Sequence, residues 1–122
     1  MSKMGKISVC GIAVVFGLVW SLTLMVPQSM AGDTVHGKKV YDTNCSACHG
    51  VKGDGQGPAA STLNPRPTNF TSAEAMKDIN DARLKKSTKE GRPGTAMVAW
   101  GGILSDKDIE DVMAYVRSLL KP

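Results

Sequence analysis

Positions 7–26 form one apolar block without a single charge, and the rest of the chain is broken into short segments of mixed character. The clearest periodic segment is the last. Ile109, Val112, Met113, Val116 and Leu120 recur at helical spacing, and Tyr115 and Leu119 widen the stripe, which predicts an amphipathic helix. Ser105-Asp106-Lys107-Asp108 ahead of it reads as a capping-box start. A first helix is expected over 34–43 with Asp33 as its N-cap, placing Gly37 and Tyr41 on one face beside Val40. A short helix starts near Ser72, and another runs over about 81–90 to a stop at Gly91. Between these lie a glycine-rich loop over 50–58, a proline-stiffened extended stretch over 63–67 and a loop over 93–97. The glycines leave the first loop free to wrap closely against a planar ligand. No alternating run marks a strand. The pattern predicts an all-α fold of four or so short helices and loops.

The apolar block has the layout of an export leader. Lys3 and Lys6 supply a positive flank, Pro27 breaks the block, and Ser29-Met30-Ala31 offers small residues where a signal peptidase cleaves. Residues 1–31 are therefore read as an export signal peptide and 32–122 as one domain. Twenty apolar residues also suffice to span a bilayer, so an uncleaved N-terminal membrane anchor is the alternative. Either way the lysines stay inside and the domain lies outside the cytoplasm, in the periplasm of a bacterium. The full chain has 15 Lys and Arg against 11 Asp and Glu; without the leader the excess falls from +4 to +2. Such a balance is too weak to imply nucleic-acid binding. Beyond position 31 the only aromatics are Tyr41, Phe70, Trp100 and Tyr115. A core this poor needs a staple, a metal or a cofactor to complete it.

Cys10 belongs to the leader, which leaves Cys45 and Cys48 in the segment Cys45-Ser46-Ala47-Cys48-His49. A bare CxxC in an exported chain suits a disulfide, a thiol-redox pair or half a zinc site. Zinc would require four ligands, and beside the cysteines only His36 and His49 are of the usual soft kind. A thioredoxin-like pair would require a βαβ setting, which the pattern lacks. The histidine that follows at once selects haem. Two sulfurs three positions apart on a helical turn face one porphyrin edge, and His49 then projects toward the iron. The cofactor expected is one haem c, thioether-linked through Cys45 and Cys48. Met76, Met97, Met113 and His36 are the candidates for a second axial ligand. Met113 and Met76 are better read as core filling, and His36 as a solvated surface residue. Met97 follows Gly91, Pro93 and Gly94 in a loop able to drape over a haem face, and it is the favoured ligand.

With these residues in place the segment from about Asp33 to Leu120 resembles a small bacterial class I cytochrome c. The resemblance rests on Gly37 and Tyr41, Cys45-Ser46-Ala47-Cys48-His49, Gly57-Pro58-Ala59, the run from Gly91 to Met97, Trp100, and Val112 with Tyr115. It implies that the first helix crosses the last at Gly37, Tyr41, Val112 and Tyr115. It also implies that the Pro58 carbonyl accepts the His49 Nδ1 proton, and that Met97 is the sixth iron ligand. Val98 stands where related sequences commonly carry proline. Trp100, Phe70, Leu63, Ile79, Leu84 and Ile103 are expected as the haem-pocket walls.

The function expected is one-electron transfer without catalysis, between respiratory redox proteins outside the cytoplasm. Donor and acceptor are not legible, and the protein is expected as a monomer once the leader is removed. The alternatives are a membrane-anchored or subunit-bound donor domain of a larger oxidoreductase, a ligand-binding or peroxidatic haem protein, and thiol–disulfide exchange. Lys38, Lys39, Lys85, Lys86, Lys89 and Arg92 are candidates for a basic rim that steers an acidic partner, although solvated helix faces explain them as well.

Overall fold

The computed structural model describes residues 32–121, and the leader lies outside them. Five α-helices carry this part of the chain: α1 (Thr34–Asn44), α2 (Ser46–His49), α3 (Ala73–Met76), α4 (Asp81–Glu90) and α5 (Asp106–Ser118). Among the described residues there is no strand, and no helix is long and apolar enough to cross a membrane. The expected helices appear within a residue or two of their places. A 3₁₀ turn at Ala60–Thr62, which has no sequence signal, is added.

Local chemistry sets the helix ends. The Asp33 carboxylate accepts the amide protons of Val35 and His36 at 2.8 and 3.1 Å, and these bonds hold its pKa below the ordinary carboxylate value. At α5 the capping box is complete: Ser105 Oγ accepts from the Asp108 amide while Asp108 accepts from the Ser105 amide. Arg117 in the last turn of α5 reaches α4, donating to Asp81 at 2.7 Å and to the Ile79 carbonyl at 2.5 Å.

The central packing event is the crossing of α1 over α5. Gly37 is buried there, and a Cβ at this position would collide with the Asp111 carbonyl. Four residues on, Tyr41 packs edge-on to Tyr115 with ring centroids 5.2 Å apart. Tyr41 is fully buried and donates its hydroxyl to the Gly50 carbonyl at 2.7 Å. Val40, Phe70, Met76, Leu84, Val112 and Val116 complete the core, with Met113 partly buried against it. The packing roles expected for Met76 and Met113 are the ones observed.

The crossing also holds a group absent from the sequence reading. Asp111 is 1% exposed. Its carboxylate accepts from the Asp33 amide at 2.7 Å, from His36 Nδ1 at 2.9 Å and from Lys107 Nζ at 2.5 and 2.6 Å. Burial pushes the Asp111 pKa up, but Lys107, the Asp33 amide and His36 together outweigh it and hold the carboxyl at about 2. The expectation for His36 is corrected here. Its ring is half exposed yet tied to a buried carboxylate, because the α1 register delivers it to the crossing one residue before Gly37.

The glycine-rich loop also departs from expectation. None of residues 50–58 borders the main cavity described below. The loop packs behind α2 instead, where a Cβ at Gly57 would strike the Ala47 carbonyl. Gly55 and Gly57 lie against the backbone of Pro67 and Ala47, and Gly53 lies against the Leu119 side chain.

Two outcomes follow from the crossing. Gly37→Ala overpacks it and should lower the unfolding free energy by about 1–3 kcal/mol in urea titrations of the matured protein. The native Asp111 pKa lies below its ordinary value of 3.8. Its contribution is therefore complete above about pH 4 and is lost as pH falls toward 2. Asp111→Asn should lower the melting temperature at neutral pH, and the gap to wild type should close over that acid range.

Candidate haem site

α1 leads directly into the cysteine motif. The Cys45 amide donates to the Tyr41 carbonyl at 2.8 Å, and the His49 amide donates to the Cys45 carbonyl at 2.9 Å. Cys45, Cys48 and His49 are thus fixed on one turn, attached through α1 to the crossing with α5. All three border a cavity of about 360 Å³, within the size range of cofactor sites. Both thiols are free. Burial, and after it the nearby Cys48, pushes the Cys45 thiol up to about 11, so it stays protonated at neutral pH.

The His49 ring is held from two sides. Phe70 stacks on it with centroids 4.4 Å apart and planes 17° from parallel. Nδ1 lies 3.2 Å from the Thr68 carbonyl, to which it donates. Desolvation lowers the His49 pKa against the opposing effect of the Thr68 bond. A neutral imidazole with Nδ1 protonated leaves the Nε2 lone pair free for a metal.

Thr68 as acceptor corrects the expectation for Pro58. Pro58 is exposed and borders no part of the cavity. The physical reason is the path of the chain after the glycine loop. The Phe70 amide donates to the Gly53 carbonyl at 2.7 Å, which brings the segment 67–70 back against His49 and puts a later carbonyl in reach of Nδ1.

Met97 reaches the same cavity from a separate loop. That loop is closed by the Arg92 amide donating to the Met97 carbonyl at 2.9 Å, and by Thr95 Oγ1 accepting from the Met97 amide at 3.1 Å. Gly91, at φ +74°, makes the reversal that starts it. Trp100 follows, tied by its amide to the Thr88 carbonyl at 3.0 Å, and also borders the cavity. Phe70, Leu63, Ile79 and Leu84 are wall residues, as expected. Ile103 is not: it is 70% exposed, because the turn after Trp100 carries it into solvent. Met76 and His36 do not border this cavity, and Met113 borders only a small pocket behind it.

The lysine rim is also redrawn. Lys38, Lys85, Lys86 and Lys89 each stand within 4.0 Å of a carboxylate, and none of them borders the cavity. Three arginines do: Arg66, Arg83 and Arg92. Arg66 and Arg83 escaped the sequence reading because an isolated arginine carries no positional signal, and Thr68 escaped it because its role is played by the backbone.

The profile of the cytochrome c family matches residues 34–120. Cytochrome c-554(547) of Halothiobacillus neapolitanus is 34% identical over 95 residues, which cover 73% of this chain and 99% of that protein. The crystal structure of cytochrome c6 from the diatom Phaeodactylum tricornutum superposes with a TM-score of 0.54 at 29% identity, over 71% of this chain and 93% of that one. A longer relative is the CcoP subunit of a cbb3-type cytochrome c oxidase from Azospirillum sp., 35% identical over 80% of this chain and 32% of its own length.

The stack of Phe70 on His49 yields a measurable consequence. Phe70→Ala removes both the ring and the core volume, and should cost about 3–5 kcal/mol in denaturant unfolding. Phe70→Leu keeps most of the volume and should cost less than half of that.

Proposed function

Because the chain belongs to the cytochrome c family, which binds haem c covalently, Cys45 and Cys48 hold one haem, and we propose that the protein is a one-electron carrier with His49 and Met97 as its axial ligands. The observation that carries this reading is that His49 and Met97, from two separate elements, border one cavity with both free thiols. The residues fit the group: two free thiols one turn apart, a neutral imidazole with Nε2 free, the Met97 thioether from a separate loop, and apolar walls.

Haem iron supplies the redox chemistry, taking up and releasing one electron between its ferric and ferrous states. The chain's own residues set the conditions. The Thr68 carbonyl holds the Nδ1 proton and orients His49 while raising its basicity. The soft sulfur of Met97 favours ferrous iron, and the walls of Phe70, Leu63, Ile79, Leu84 and Trp100 disfavour the extra charge of the ferric state. Both effects raise the potential. With His49 and Met97 both holding the iron, no coordination position would be left for a substrate, so this reading is of a carrier and not an enzyme.

Residues 1–31 carry the layout of an export leader, and on this reading the domain works outside the cytoplasm between respiratory redox proteins. The CcoP relative supports a second reading, a subunit-bound or anchored donor domain in a larger oxidoreductase. Mass spectrometry of the matured protein separates the two: an N-terminus at Gly32 belongs to the diffusible carrier, and a retained leader to the anchored form.

Met97→Ala tests the ligand set. The ferric protein should lose its sulfur-to-iron charge-transfer band, the ferrous protein should bind carbon monoxide, and the midpoint potential should fall. An unchanged spectrum would remove Met97 from the iron.

A further inference from the structure

A circuit of hydrogen bonds begins and ends on His49. The Gly55 amide donates to the His49 carbonyl at 2.8 Å, the Phe70 amide to the Gly53 carbonyl at 2.7 Å, and His49 Nδ1 to the Thr68 carbonyl at 3.2 Å. Side chains stiffen its return limb. Asn69 Oδ1 accepts from the Thr71 amide at 2.9 Å and from Thr71 Oγ1 at 2.7 Å. A Cβ added at Gly53 would strike the Leu119 side chain and touch the Phe70 Cβ, so this corner of the circuit is packed. Phe70 itself is only 7% exposed. Thr68 and Phe70 constrain the imidazole in different ways. The Thr68 bond fixes where Nδ1 points, but 3.2 Å is the long end of the range, and torsion about the Cβ–Cγ bond of histidine is broad. Phe70 lies on the ring face, with centroids 4.4 Å apart and planes 17° from parallel. A turn of the imidazole about that bond drives its edge into the phenyl ring.

We propose that Phe70 is a positioning residue for His49: its ring, with the Thr68 carbonyl, sets the rotation of the imidazole plane and through it the direction of the half-filled orbital of ferric iron. This role rests on the reading of His49 as an axial ligand and lies within it. The π orbital of an axial imidazole is perpendicular to the ring, so it raises one of two otherwise similar iron d orbitals. Turning the ring redirects the unpaired electron. One fixed orientation gives the ferric state one electronic ground state and keeps the rearrangement between ferric and ferrous iron small. An aliphatic side chain of similar volume fills the space but has no flat face, so it leaves the torsion free. The stack therefore does more than fill the core.

Electron paramagnetic resonance and proton NMR of the ferric, matured protein supply the test. The wild type should show one low-spin species, with haem-methyl shifts that vary linearly with inverse temperature. Phe70→Leu should split or broaden the low-spin signal and change the spread of the haem-methyl shifts, while the sulfur-to-iron charge-transfer band is retained. Phe70→Tyr keeps the flat face and should return the wild-type pattern. Val40 belongs to the same core but borders neither cavity, so Val40→Ala should lower stability and leave both spectra unchanged. A Phe70→Leu protein with wild-type signals would overturn the proposal, as would a Phe70→Tyr protein that resembles Phe70→Leu. So would a Val40→Ala protein that reproduces the changes of Phe70→Leu, since loosened packing would then explain them. Curved temperature plots in the wild type would do the same whether or not any variant folds, because the imidazole would be exchanging between orientations. A wild-type ferric protein that is high-spin or lacks the charge-transfer band would overturn the His49 and Met97 reading instead, and is recognised before any variant is made.

Discussion

At Gly37 the backbone of α1 lies against the carbonyl of Asp111 on α5, with no room for a side chain between them. The chain reaches the cysteine motif directly from α1, so this contact fixes the angle at which Cys45, Cys48 and His49 enter the cavity. Tyr41 carries the same constraint further. It packs against Tyr115 on α5 and donates to the Gly50 carbonyl just past His49, linking the crossing to the far end of the motif. Asp111 closes the other end by holding the Asp33 amide, His36 and Lys107. A buried carboxylate is tolerated there because three donors satisfy it.

The haem completes this arrangement in a physical sense. A domain with four aromatic residues has little apolar bulk of its own. The core that it does form, around Tyr41, Phe70, Leu84, Val112 and Val116, lies beside the cavity bordered by Cys45, Cys48 and His49. Leu84 and Phe70 belong to both, so core and pocket are one apolar body. Burying the porphyrin and stabilising the fold are then the same process.

Residue types with one dominant physical role were readable in the sequence. The CxxCH turn, the Ser105 cap and the stripe of α5 each announce themselves by spacing, and the glycine at the crossing was implied by the family resemblance. That Met97 reaches the cavity from a loop was legible because glycines and a proline precede it, which left packing in a helix a poor account of it. What escaped notice depends on chain path or on long-range pairing. Thr68 acts through its carbonyl, which every residue has, and only the return of 67–70 to His49 selects it over Pro58. Asp111 reads as an ordinary polar position on α5 until α1 is laid across it. The lysines read as a rim until the carboxylates of neighbouring elements are seen beside them.

The central claim is that one haem, held by Cys45 and Cys48 and closed on both sides by His49 and Met97, cycles by one electron. A redox titration of the purified, matured wild-type protein followed by absorption spectroscopy addresses it most directly. The account predicts a single reversible one-electron wave, a low-spin spectrum in both states, and a sulfur-to-iron charge-transfer band that is present when ferric and vanishes in step with reduction. A high-spin ferric spectrum lacking that band, or ready carbon monoxide binding by the ferrous protein, would contradict it.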